Sequence, residues 1–315
     1  MDLPNEILWM IINEIEQSDD IEDDDKMAAL ASCRLASHEL SSLATPLFFS
    51  SMWLGSYDDT VAASTEQATK LDQILTNSNI AAWVKKFTLN LHHVSRQDSK
   101  TINLIPTILH RLPHIRTFSL QHANEILDPR SNDLMSAIQV ICRSPNLTRL
   151  HLGHIRYFPF PIIIECTNLR LLHLSFVLFR VNPIYFALLP ARINSIFQMD
   201  DVNPMDDTSS PQLLSLKCLI IDAWGLYSLG SRLSDDMRSA NYFPQIKSLQ
   251  VATPINGEVG FEYAWQIILL ASQTLTRLYL RENPGARFIL TFASKAIVLI
   301  KNPASLTASI ENCPI

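Results

Sequence analysis

The sequence predicts an α/β fold. A short helical module comes first, followed by a repeating helix–strand unit that stacks its strands in parallel on an inner face with the helices outside. Three observations predict it. A six-residue apolar pattern recurs seven times between residues 84 and 280. The intervening segments carry apolar residues at helical spacing. Charge also changes sign near residue 57: residues 1–57 hold two basic and eleven acidic side chains, net −9, while the rest hold 23 basic and 20 acidic, net +3. The chain accordingly divides into a helical module, 1–57, and a repeat region, 58–315.

The seven strings are VKKFTL (84–89), IRTFSL (115–120), LTRLHL (147–152), LRLLHL (169–174), LKCLII (216–221), IKSLQV (246–251) and LTRLYL (275–280). Each is apolar at its first, fourth and sixth positions, and their starts differ by 31, 32, 22, 47, 30 and 29 residues. A weaker INSIFQ, beginning at Ile193, splits the gap of 47 into 24 and 23 and is expected to add a strand there. Between strings, Ile102, Ile105, Leu109 and Leu112 share a helical face, as do Leu134, Ile138 and Ile141, and Phe261, Trp265 and Ile268. Pro113, Pro145 and Pro244 then precede a strand string, where proline stops a helix and favours extended chain. One such unit cannot bury its own apolar side, so its neighbours must supply the core.

This pattern resembles the leucine-rich repeat over roughly residues 80–283. The position three residues past the last consensus leucine, usually Asn or Cys in that family, holds Ala123, Ile155, Val177, Trp224 and Pro254, and only Asn283 fits. An irregular solenoid is therefore expected, with a surface loop near 199–211. The final SLTASIENCPI reads as a last degenerate unit.

The helical module opens on LPNEILWMII. Pro4 suits a first helical turn. Ile7, Leu8, Ile11, Ile12 and Ile15 form a stripe, and Trp9 widens it beyond what one core needs. The acidic run 19–25 reads as a solvated loop; it lacks the glycine and spacing of a calcium loop. A second helical pattern runs from Lys26 to Ala44, with Pro46 as a break. The module resembles an F-box, through Leu3, Pro4, Glu6, Ile7, Leu8, Ile11, Ile12 and Ile15, then Leu30, Cys33, Leu35, Leu40, Ala44, Pro46, Leu47 and Phe48. The resemblance implies docking onto a Skp-family adaptor and, through it, a cullin, with Leu3, Pro4, Ile7, Leu8, Ile11, Ile12 and Leu47 as adaptor-binding residues. Surplus apolar surface is then an interface. The competing reading is a helical cap on the solenoid.

Composition and motifs narrow the rest. With 47% hydrophobic and 18% charged residues, the chain reads as globular. Five scattered cysteines without a Cys-x-x-Cys pair predict reduced thiols in an intracellular protein, cytoplasmic or nuclear. Asp2 and Glu6 stand where a signal peptide wants positive charge. Glu165, Arg170 and His173 interrupt the apolar stretch 158–179, so no membrane span is expected. Lys85-Lys86 is the one adjacent basic pair, which argues against a nucleic-acid footprint.

No phosphate loop, dinucleotide fingerprint, nucleophile elbow or His-Glu-x-x-His occurs, so neither an enzyme nor a cofactor is expected. Cys142 and Cys166 read as buried thiols. Strand alternation turns the residues flanking the sixth string position toward the inner, concave face. There His151, His173, Asp222, Gln250, Tyr279 and Arg281 form the candidate target-binding row. His151 and His173 are predicted about 5 Å apart on adjacent strands. Lacking a third ligand, they read as part of a polar ladder and not as a metal site. Together these features lead to an expected non-catalytic receptor subunit of an SCF-type (Skp–cullin–F-box) ubiquitin ligase, recruiting an unidentified target protein. The alternative is an interaction scaffold whose N-terminal helices only cap the repeats.

Overall fold

The computed structural model describes residues 4–18, 23–55, 61–92, 99–123, 132–179, 215–222, 225–226, 229, 245–252, 267–268, 274–281 and 307–309. Three helices come first: α1 (Asn5–Gln17), α2 (Asp23–Ala36) and α3 (His38–Phe48). Strand β1 (Ser51–Leu54) follows, then α4 (Val61–Leu75), α5 (Ser78–Trp83), β2 (Lys86–Asn90), α6 (Ser99–His110), β3 (Thr117–Gln121) and α7 (Asn132–Arg143). Next come β4 (Arg149–Phe158), α8 (Phe160–Ile164) and β5 (Leu171–Phe179). The last strands are β6 (Cys218–Ile221), β7 (Ser248–Ala252), β8 (Arg277–Arg281) and β9 (Thr307–Ser309). The nine strands form one sheet in chain order, every neighbouring pair parallel.

The apolar strings explain this sheet. Their fourth positions stand in one register line, Met52, Phe87, Phe118, Leu150, Leu172, Leu219, Leu249 and Leu278. All are buried, as are the first positions Val84, Ile115, Leu147, Leu169, Leu216, Ile246 and Leu275. They share one core with Ile105, Ile108 and Leu109 of α6 and with Leu134, Ala137, Ile138 and Ile141 of α7. Polar ties join the units at strand entry: Asn146 Nδ2 donates to the Pro113 carbonyl (3.2 Å) and Asn168 Nδ2 to that of Pro145 (3.0 Å).

Four sequence expectations change. The sheet begins inside the segment assigned to the helical module, because β1 pairs with β2. Its string, FSSMWL (49–54), carries the same first, fourth and sixth apolar residues. The helix expected over 26–44 is two helices: Ser37 caps α3, its hydroxyl accepting the Leu40 amide at 3.2 Å, and Pro46 lies inside α3 instead of ending it. Helix α2 begins at Asp23, so residues 23–25 of the acidic run belong to a helix and not to a loop. Finally, β5 pairs directly with β6, Leu172 beside Leu219, so the sheet crosses the gap of 47 residues in a single step.

Residues 193–198, the loop at 199–211, and Trp224, Pro244, Pro254, Phe261, Trp265 and Asn283 lie outside the described residues. Among the described residues no helix is long and apolar enough to cross a membrane.

The helical module has a core of its own. Ile12, Leu30 and Ala44 are buried together, with Ile15, Cys33, Leu40, Leu43, Leu47 and Phe48 packed on them. The Arg34 guanidinium lies 4.4 Å from the Phe48 ring centre and 5.0 Å from that of Phe49, clamping α2 to the end of α3. Phe49 stacks in turn on Trp83 of α5, 6.5 Å between centres, and joins this module to the sheet-bearing part.

Candidate functional site

Two surfaces carry the residues singled out by sequence. The first is α1, which packs against α2 and α3. Its inward side is Ile12, 1% exposed, with Ile15 a turn later. Ile7, Trp9, Met10 and Ile11 are 41%, 52%, 60% and 49% exposed. These are four large apolar side chains facing solvent on one helix, whose desolvation is favourable only against a partner.

The adaptor-binding set divides accordingly. Ile7 and Ile11 are on the outer face and Leu8 is half-buried. Ile12 is corrected to a core residue, because the helix turns it between Leu30 and Ala44. Leu47 is partly buried on that same core. Pro4 is the exposed N-cap of α1, its carbonyl accepting the amides of Ile7 (3.0 Å) and Leu8 (3.2 Å). Leu3 lies outside the described residues. Trp9, Met10 and Leu35, the last 89% exposed at the end of α2, were absent from that set.

The second surface is the sheet face opposite the core. Its central register line is Trp53, Thr88, Ser119, His151, His173, Ile220, Gln250 and Tyr279. Four residues of the candidate row, His151, His173, Gln250 and Tyr279, are thus neighbours in one ladder. Trp53, half exposed at its start, was missed because β1 was missed. Arg281 stands in register with Ala252 in the adjacent line.

Asp222 has a different task. Its Oδ2 accepts the Phe176 amide at 2.6 Å and its Oδ1 accepts the Gly225 amide at 2.9 Å. The carboxylate is committed to two backbone donors, so Asp222 is corrected from a target contact to a turn-holding residue. Asn90 and Ser119 flank sixth string positions and by alternation would face outward, yet they are buried, and Asn90 Oδ1 accepts the His92 amide (3.1 Å).

His151 and His173 stand edge to face, 5.3 Å between ring centres. Burial lowers the His151 pKa to about 4, helped by His173, Lys86 and Arg149, and Nε2 of His151 is buried without a hydrogen-bond partner among the described residues. His173 is also lowered by burial, against an opposing pull from Asp222. Among the described residues no group of three or more His, Cys, Asp or Glu side chains is placed to hold a metal. Cys142 is buried beside Cys166, and their thiol–thiol hydrogen bond, with burial, holds its pKa well up, so the thiol stays protonated.

A second aromatic ladder lies beyond the sixth string positions, just past the ends of β2 and β3 and within β4 and β5. His92 meets His122 edge to face (4.9 Å), His122 stacks on His154 (4.4 Å), and His154 stacks on Phe176 (4.7 Å). His122, His154 and Phe176 all have positive φ, 55°, 51° and 53°. Each stands two residues beyond the sixth position of its string, so one left-handed turn repeats and aligns the rings. Buried Ala123, Ile155 and Val177 follow directly and occupy the positions where a polar residue was sought. Burial first, then His154 and His92, lowers the His122 pKa to about 4.

No protein-family model matches this chain, and no curated protein shows a significant sequence match to it.

His122 and His151 hold protons less tightly folded, near 4, than at their ordinary value of 6.5. Between these values the unfolded chain carries the extra protons, so acidification favours it. The stability associated with neutral rings is complete above pH 6.5 and drains away as pH falls toward 4. The melting temperature should therefore fall between about pH 7 and about pH 5, and less steeply in the double variant His122→Asn, His151→Gln. Asparagine tolerates the left-handed backbone at 122. Parallel pH profiles for the two chains would show that these rings are not desolvated.

Proposed function

We propose that the protein is a non-catalytic substrate-receptor subunit of an SCF-type ubiquitin ligase, an F-box followed by irregular leucine-rich repeats. The observation that carries this reading is the set of apolar side chains Ile7, Trp9, Met10 and Ile11, left exposed on a helix whose opposite side already completes its own small core. An adaptor of the Skp family, linked to a cullin, is the proposed partner of these side chains. The sheet face from Trp53 to Tyr279 is the proposed target surface, with Tyr279 and Arg281 as anchors, since Tyr and Arg dominate many interfaces. Such a receptor acts by raising the local concentration of target near a ubiquitin-charged enzyme.

The test is capture of a purified Skp-family adaptor by the full chain. Trp9→Ala with Met10→Ala should lower affinity at least tenfold, because each interface anchor typically contributes about 2 kcal/mol. Core and melting behaviour should stay unchanged. Equal capture by a chain lacking residues 1–48 would refute the proposal. It would favour the second reading, a scaffold whose helices cap the repeats, which rests on the Phe49–Trp83 stack.

A further inference from the structure

The strings carry a feature unrelated to their apolar positions. In the eight strings from FSSMWL to LTRLYL, the second and third positions are where the chain enters each strand. Eight of these sixteen residues are Lys or Arg and none is Asp or Glu, in a chain with 25 basic residues among 315. They are Lys85 and Lys86, then Arg116, Arg149 and Arg170, then Lys217, Lys247 and Arg277. All but the half-buried Lys85 are exposed.

The backbone sets these residues side by side. The Lys85 carbonyl accepts the amides of Arg116 and Thr117, that of Arg170 accepts Lys217 and Cys218, and that of Lys217 accepts Lys247 and Ser248. The cations therefore line one rim of the sheet from β2 to β8. Six strand spacings of about 4.8 Å give a line of about 29 Å.

Solvation alone does not explain the line. Exposed strand-entry positions accept either sign, and a chain of net charge −6 has more carboxylates than cations to place there. Like charges on adjacent strands are mutually unfavourable. Lys85 registers this, its pKa lowered by burial and then by Arg116.

We infer that this rim is a docking line for an extended, carboxylate-rich segment of a partner protein, about nine residues long at about 3.3 Å per residue. A peptide crossing the strand entries meets about one cation per strand, and its carboxylates relieve the repulsion along the row. A nucleic acid is disfavoured because no aromatic side chain occupies the sixteen positions to stack on bases, and because the chain as a whole is acidic. A bilayer is disfavoured because Leu171 is the one large apolar side chain among them. The inference rests on the repeats being a protein-binding surface, not on adaptor docking.

The test is fluorescence anisotropy with the full chain and a labelled twelve-residue Asp/Glu peptide. The comparison probes are its Asn/Gln counterpart, a twelve-nucleotide single-stranded DNA and phosphatidylserine vesicles. The acidic peptide should bind at least tenfold tighter than the others and weaken as salt is raised. Arg149→Gln with Arg170→Gln and Lys217→Gln should lower its affinity at least tenfold, and Lys247→Gln with Arg277→Gln at least threefold. Lys70→Gln with Lys100→Gln, on the helices, should change it less than twofold. Adaptor capture by all of these should equal that of the unmodified chain, which separates failure here from failure of the ligase reading. Tighter binding of DNA or vesicles, or rim variants that bind the peptide like the unmodified chain with unchanged melting, overturns the inference.

Discussion

Leu150→Ala is expected to lower unfolding free energy by about 2–5 kcal/mol, the range for a large aliphatic side chain truncated in a close-packed core. Leu150 is fully buried, with Phe118 beside it on β3 and Leu172 on β5. Removing it leaves a cavity between two units, each of which depends on the other to bury its apolar face. The damage should spread to both neighbours, since stability in stacked repeats is shared. Urea unfolding would read the loss, and hydrogen exchange should show faster exchange in β3 and β5 as well as in β4. Arg149→Ala, one residue away and exposed, should change stability by less than about 0.5 kcal/mol. A Leu150→Ala chain as stable as the parent would mean that the fourth string position does not face the core.

Gly55→Ala is expected to cost about 2–4 kcal/mol, from backbone strain and steric overlap together. Gly55 has φ +81°, and a Cβ there would come within 2.0 Å of the Asn90 carbonyl oxygen, a backbone atom at the end of β2. The glycine is what lets the chain leave β1 so close to its neighbour, while its amide donates to Gln67 Oε1 at 2.8 Å. Gly153→Ala is the contrast: its φ is not positive and the nearest atom to a new Cβ, Gln121 Cγ, is 3.4 Å away. That change should stay below about 1 kcal/mol. Similar losses at both sites would remove the argument from Gly55. A larger loss at Gly55 should open β1 from β2 first, exposing the joint with the helical module.

Much of the architecture was legible because it rests on short-range pattern. Apolar first, fourth and sixth positions dictate a strand with one face inward, and their recurrence dictates parallel stacking. From those strings alone the residues at one level of the sheet follow, including His151 beside His173. The surplus apolar residues of α1 were legible too. Which of them stay exposed was not: Ile12 turned inward because α2 and α3 bring Leu30 and Ala44 to it, a contact that exists only once three helices pack.

The same limit explains the other revisions. FSSMWL passed as part of the helical module because its core partners lie on β2, 35 residues on. Asp222 was assigned outward by alternation, yet the Phe176 amide, 46 residues away in sequence, claims its carboxylate. The ladder of His92, His122, His154 and Phe176 depends on left-handed residues at 122, 154 and 176, which no periodicity announces. Sequence by itself determined seven of the strands, β2 to β8, with their order and buried faces, because local pattern and the hydrophobic effect suffice for those. Only the tertiary structure decided which polar groups are already satisfied from within and which remain exposed, because that depends on atoms brought together from distant parts of the chain.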